Sequence, residues 1–286
     1  MRTIPSLFLL SFLALAAPAA DEAYDLRGPA PIKGQTIDTR STLLLKDSTV
    51  RLTIAGQTLK IKQTMTITSH EEEKFLAIDG RQVTKTQAKI LKDHTKTIAN
   101  FMGEDTTEEQ DGDLAGEVIV SERLADGKWK HTLVDNSPSD KQKKELDKRV
   151  GPECDDDLFP ARTVPVGHAW NVDASKLKKF FGGSFSDLTG TVKQKFLRIE
   201  EVKGEKCAVI EVTGPIKGRM KDDDGDLDFE MDLKATSWRS LKTGIDVKDE
   251  IGGKMKMSGK QTTEDGAKAD IVLDGTLSGK GTSALK

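Results

Sequence analysis

Four histidines, His70, His94, His131 and His168, are the residues with which this 286-residue chain could ligate a transition metal. A zinc or copper site needs convergent ligands. Neither an i, i+4 pair nor a His-x-His occurs, so the spacing reads as surface and strand-edge histidines. Met255-x-Met257 has the spacing of a thioether pair for copper(I), but the same spacing places two methionines on one strand face, and that reading is taken. Asp222-Asp223-Asp224-Gly225-Asp226 invites a calcium loop. With Gly225 at the sixth loop position, however, Met220 falls where the first carboxylate is required, and a hairpin turn is the better reading. Asp155-Asp156-Asp157 reads as a solvated acidic turn.

Nucleophilic chemistry finds no motif. No Gly-x-Ser-x-Gly occurs. The Gly252-Gly253 to Gly259-Lys260 stretch misses phosphate-loop spacing and places Gln261 where a magnesium-binding hydroxyl belongs. Carboxylates fall at outward strand positions and turns, away from the apolar pockets that shift such groups for acid–base work. The expectation is therefore no catalytic, cofactor-binding or metal residue and no cofactor. The cysteines Cys154 and Cys207 lack Cys-x-x-Cys spacing, which argues against a redox role. A bond between them would close a loop of roughly 50 residues, with about 4 kcal/mol of stabilisation. Two buried free thiols are the alternative.

The elements that carry these residues begin with an export signal. Arg2 precedes an apolar run from Leu7 to Ala17, and Ala17-Pro18-Ala19 supplies the small residues a signal peptidase reads. The run is too short for a membrane anchor, so residues 1–19 read as a signal peptide and the protein as periplasmic or extracellular. No transmembrane segment is expected in the mature chain. A net charge of −3 with 32% charged residues excludes the clustered basic surface of a nucleic-acid partner. Only 5% of residues are aromatic, which implies a thin core.

Residues 20–40 read as an extended lead-in. Val50, Leu52 and Ile54, then Leu59, Ile61, Met65 and Ile67, alternate with polar residues around Ala55-Gly56-Gln57, which predicts a hairpin with one wet face. Phe75 to Ile78 adds a strand. Thr84-x-x-Gln87, with Ala88, Leu91 and Ile98 at helical spacing, offers a capped helix, and helix and strand stay open over 95–102. Residues 103–113 read as a loop, and 118–134 as a hairpin turning at Ala125-Asp126-Gly127. Ser137 is expected to cap a short helix that starts at Pro138 and stops at Gly151-Pro152. Asp173 is expected to cap another, ending at Gly182-Gly183. Strands follow from Thr189 to the C-terminus, most clearly where Leu227, Phe229, Met231 and Leu233 alternate with Asp228, Glu230 and Asp232.

The sum is a mainly β (α+β) chain of curved, half-barrel-like antiparallel sheets with two or three short helices. Its expected segments are a β-rich half at 41–150, a connection at 151–172 and an antiparallel half at 173–286. Phe159-Pro160, Val164-Pro165-Val166-Gly167-His168-Ala169-Trp170, Thr189-Gly190-Thr191 and Gly204 to Ile210 together resemble exported bacterial β-rich proteins of unknown function. More distantly the chain is similar to the half-open barrels of lipoprotein carriers. The resemblance implies a bacterial envelope or secreted setting and transfers no site. The function expected is a non-catalytic binding or structural role in the envelope, with carriage of an apolar or lipid ligand as the alternative. Partners are an apolar ligand or an envelope component. The apolar run from Leu158 to Trp170 is read as a core seam in preference to a pocket.

Overall fold

The computed structural model describes residues 22–152, 155–177, 181, 185–222, 225–262 and 267–286. The expected signal peptide and Cys154 lie outside them. Along the chain come β1 (Ala23–Tyr24), β2 (Thr36–Ile54), β3 (Gln57–Asp79), β4 (Gln82–Phe101), β5 (Glu104–Asp111), β6 (Val118–Arg123) and β7 (Trp129–Leu133). Helix α1 (Asp140–Lys148) and a 3-10 turn (Asp155–Leu158) lead to β8 (Val164–Pro165) and β9 (Ala169–Asp173). A second 3-10 turn (Ala174–Leu177) precedes β10 (Phe185–Thr189), β11 (Thr191–Val202), β12 (Glu205–Asp222), β13 (Gly225–Ser240), β14 (Asp246–Thr262) and β15 (Lys268–Leu285).

The long strands form one curved, open antiparallel sheet in the order β7-β6-β4-β3-β2-β15-β14-β13-β12-β11-β9. Strand β5 pairs with β4, β10 pairs with β12, and β1 with β8 makes a separate two-stranded piece. The first long strand thus pairs with the last, Thr39 opposite Ser283 and Leu45 opposite Leu277. The predicted β2–β3 hairpin turns at Ala55 and Gly56, both at positive φ (47° and 79°), which matches the strand twist of a two-residue turn. No helix of the described residues is long and apolar enough to cross a membrane.

Opposed residues share a face, so the register divides the sheet into two surfaces. On the inner face Leu227, Phe229, Met231 and Leu233 of β13 lie against Ile216, Met255 and Met257 of neighbouring strands. Leu158, Val172, Ala174, Leu177 and Leu188 cover them. Within the run from Leu158 to Trp170, Leu158 and Val164 pack as core with Phe159 and Trp170 partly buried against them, while Val166 is exposed, and the Trp170 indole N–H donates to the Leu158 carbonyl at 2.9 Å. Met255 and Met257 share this face, as alternation predicts. At the other end Leu146 of α1 packs on Ile90, Leu114 and Ile119. The outer face is charged: Glu230 of β13 stands between Lys217 and Lys256, and Lys256 opposes Asp274. Such exposed pairs are individually weak, but they keep this surface wet.

Three local expectations are corrected. The capped helix from Thr84 is instead strand β4. Thr86, Ala88 and Ile90 point inward, whereas beyond a bulge at Leu91 the inward set is Asp93, Thr95 and Thr97. Ladders to β3 on one side and to β5 and β6 on the other satisfy the backbone better than an isolated helix could. The acidic loop at 103–113 contains strand β5, whose Glu109 and Asp111 oppose Lys96 and His94. Helix α1 starts two residues later than expected, because Ser139 and Gln142 close a reciprocal capping box. Asp173 does cap the second 3-10 turn, its Oδ1 accepting from the Ser175 N–H at 2.8 Å. The glycines expected to end that segment lie outside the described residues.

Candidate functional site

Following the inner face from one end of the long strands to the other reveals two environments. Toward the β2–β3 turn the face is apolar: Leu43 and Leu45, Met65 and Ile67, Val50 opposite Ile61, and Leu52 opposite Leu59. Leu273 and Ile271 of β15 extend this stripe. None of the four buried clusters includes a side chain from β2 or β3. Leu43, Val50, Leu52, Ile61, Met65 and Ile67 are half-buried, and Leu59 is exposed. Leu45 is buried, and Ile271 and Leu273 pack against the inner-face core, so the stripe joins the covered region at β15 and is only partly open over β2 and β3.

Toward the opposite end the same face turns polar. A cross-strand row runs Asp249, Gly281, Ser41, Ser69, Asp93, with the Ser41 and Ser69 hydroxyls 2.7 Å apart. Beyond it lies a cavity of about 550 Å³ between the lead-in, the start of the β3–β4 hairpin, the end of α1 and the β13–β14 turn. Ile37, Phe75, Val83 and Val150 give it apolar walls, while Arg27, Arg81, Lys148, Arg149 and Arg239 meet Glu71, Glu73 and Asp156. That volume falls within the range of small-molecule sites. The guanidiniums are held from behind. Arg239, 3% exposed, donates to the Leu26 carbonyl at 2.6 Å and lies 4.1 Å from the Phe159 ring centre. Arg81 bonds Asp156 at 2.7 Å and the Gly28 carbonyl at 3.1 Å. Arg149 pairs with Glu71.

Glu73 has no ion-pair partner among the described residues. Burial pushes its carboxyl above the usual range and the Glu71 charge adds to the shift, while the Thr86 hydroxyl and Arg149 oppose it. Burial raises Asp93 and Asp249 likewise, helped by Asp111 for the first and by Asp246 and Glu250 for the second. A carboxyl whose folded pKa is raised favours the fold when protonated. That contribution is present at low pH and is lost as pH climbs from the unfolded value through the folded one. Glu73→Gln is therefore expected to raise the melting temperature at neutral pH by about 2–4 °C for each kcal/mol relieved. The gain should vanish in acid, which thermal unfolding at pH 7 and pH 4 will test.

A second cluster lies on the outer face. Ligand atoms of Asp38, His70 and Glu72 lie within 4.8 Å of one another, a donor set that could hold a metal ion. The Lys286 ammonium already bridges the two carboxylates, 2.8 Å from Asp38 Oδ2, and Arg40 lies 3.2 Å from Asp38 Oδ1. The arrangement reads as an ion-pair lattice joining β15 to β2 and β3. Lys286, followed by His70, holds the Asp38 carboxyl down to about 2. A depressed carboxyl contributes fully above its unfolded value near 4 and loses that contribution as pH falls toward 2. Asp38→Asn is expected to cost about 1–2 kcal/mol at pH 7 and progressively less between pH 4 and 2. Urea unfolding across that range reads the difference.

The remaining histidines stay apart. His94 pairs with Asp111 at 2.8 Å, and His168 stacks on Trp170. His131 Nδ1 lies 2.8 Å from Ser121 Oγ, a serine–histidine pair that sequence reasoning missed. The turn at Ala125-Asp126-Gly127 could have revealed it, since that turn places 121 opposite 131. Ser121 is buried, and neither residue lines the 550 Å³ cavity. Burial and then Arg149 hold the imidazole pKa down. The pair is a cross-strand bond inside the sheet. Cys207 is buried with Val209, Trp238 and Val247 on the outer side of β12; Cys154, with which it either forms a bond or shares the free-thiol state, lies outside the described residues.

No protein-family profile and no curated protein matches the chain. Among solved structures, an outer membrane channel from Pseudomonas putida F1 overlaps 90% of this chain and 97% of its own at 8% identity, with a TM-score of 0.27. A DUF1329 family protein from Desulfovibrio piger ATCC 29098 overlaps 84% of each chain at 11% identity, with a TM-score of 0.14. The likeness is distant and confined to the level of the β-rich fold.

Proposed function

We propose that this chain is an exported envelope protein with a non-catalytic binding role, and that it holds an apolar ligand of the acyl-chain type on its inner face. The observation that carries this reading is the partly open stripe of Leu43, Val50, Leu52, Ile61, Met65 and Ile67, which joins the covered region at β15. A contiguous, partly open apolar surface on one sheet face supports reading it as a site of interaction. The export setting rests on the Leu7–Ala17 run and the small residues after it.

Fluorescence of the neutral probe N-phenyl-1-naphthylamine is expected to rise on addition of the protein. The double variant Ile61→Lys with Ile67→Lys should weaken that binding by at least about tenfold, as about 1.4 kcal/mol implies, with an unchanged circular dichroism spectrum. Absence of probe binding, together with no lipid retained in native mass spectrometry, would remove the reading.

A further inference from the structure

The polar cavity and the apolar stripe lie on the same face of the same strands, and what separates them is small. Ser41 on β2, Ser69 on β3 and Gly281 on β15 stand in register between Glu71 on the cavity side and Ile67 on the stripe side. From Glu71 to Ile67 is four residues, about 13 Å of strand. The Asp249 carboxylate lies over Gly281, so the low part of that floor is the Ser41–Ser69 pair, whose small side chains leave a path for a long molecule. The cavity lining holds five cations and three carboxylates, and Asp25, Glu145 and Asp246 just outside it pair with Arg27, Lys148 and Arg239, so the lining offers guanidinium and ammonium donors without a large net charge. Arg149 follows the end of α1 and pairs with Glu71 on β3, while Arg81 in the β3–β4 turn pairs with Asp156, so guanidiniums from two separate segments line the space a ligand would fill.

We infer that the ligand is an amphiphile with an anionic head group, phosphate or carboxylate, which seats in the arginine-rich cavity while its apolar chain runs over Ser41 and Ser69 onto the stripe. This rests on the binding role proposed above and adds to it the polarity and direction of the ligand. Guanidinium groups suit such oxyanions because their forked donors match the planar or tetrahedral oxygens. Glu73 is the one cavity carboxylate without an ion-pair partner among the described residues, so it opposes an incoming anion most directly.

Isothermal titration calorimetry with dodecyl phosphate, dodecyltrimethylammonium, dodecyl maltoside and inorganic phosphate, each detergent below its micelle concentration, tests the inference at pH 8. Dodecyl phosphate is expected to bind about tenfold or more tighter than the cationic and neutral detergents, and to lose affinity as salt is raised. Glu73→Gln should tighten dodecyl phosphate binding by about three- to tenfold and Lys148→Gln should weaken it by a similar factor, both through the Coulomb interaction with the head group. A tightening cannot come from a damaged fold. Equal binding of the three detergents would overturn the head-group inference while leaving the apolar-face reading in place. Inorganic phosphate binding as tightly as dodecyl phosphate would overturn it too, by showing that the chain takes no part. Failure of every detergent to bind would remove the proposed function itself.

Discussion

Phe229→Ala is expected to cost about 3–5 kcal/mol, the range for emptying a buried aromatic site. Phe229 is 1% exposed at the centre of the inner-face core. Its ring meets Phe185 at 5.1 Å and Phe181 at 5.7 Å between centroids, both near edge-to-face, an arrangement that adds to simple burial. The strand position opposite on β12 is Gly218, where an added Cβ would lie 2.6 Å from Leu188 Cδ2. The space freed by the alanine cannot be refilled from β12, because β10 already occupies the room that glycine leaves. Urea unfolding should show a lower midpoint with an unchanged slope, and Phe229→Leu should recover about half of the loss. A cost under about 1 kcal/mol would mean that the covering segment does not pack as described.

Adjacent glycines on β14 should respond in opposite ways. Gly253 faces inward, and a Cβ there would lie 2.3 Å from the Asp232 carbonyl oxygen and 2.9 Å from Met231 Cε, with φ at 158°. The obstruction is partly backbone of the paired strand, so relief requires β13 and β14 to separate. Gly253→Val is expected to cost about 3 kcal/mol, the upper end for forced overpacking. Gly252 faces outward, where the nearest atom to a new Cβ is 3.5 Å away. Gly252→Ala should stay within about 0.5 kcal/mol of the parent. Thermal unfolding of both variants decides whether the bare inner surface is what lets the sheet curve. Equal melting temperatures would refute that account.

Much of the fold could be read from alternation alone. Where polar and apolar residues take turns without interruption, as from Val50 to Ile67 and from Leu227 to Leu233, strand and facing both follow. Reading failed where the phase breaks. The inward set of β4 changes at Leu91 from even to odd positions, so neither period runs its full length and helical spacing competes. Strand β5 is hidden because acidic residues disfavour strands, and the residues that pair with them, Lys96 and His94, sit on β4. The cavity was less legible still. Its lining comes from four separated stretches near residues 27, 71, 149 and 239, and no local pattern shows that these meet. His70 was noticed, but Asp38 fell in the stretch read as lead-in, so their pairing across β2 and β3 went unseen.

The seam at the middle of the sheet, where β2 meets β15, has a consequence for how the chain is made. Thr39 and Ser283, hydrogen-bonded across it at 3.2 Å, are 244 residues apart. A ribosome must therefore deliver the chain as far as Ser283 before the central pairing can zip, and closing so large a loop adds entropy cost to an already slow β topology. Until then each half-sheet ends in an unsatisfied rim that invites premature association.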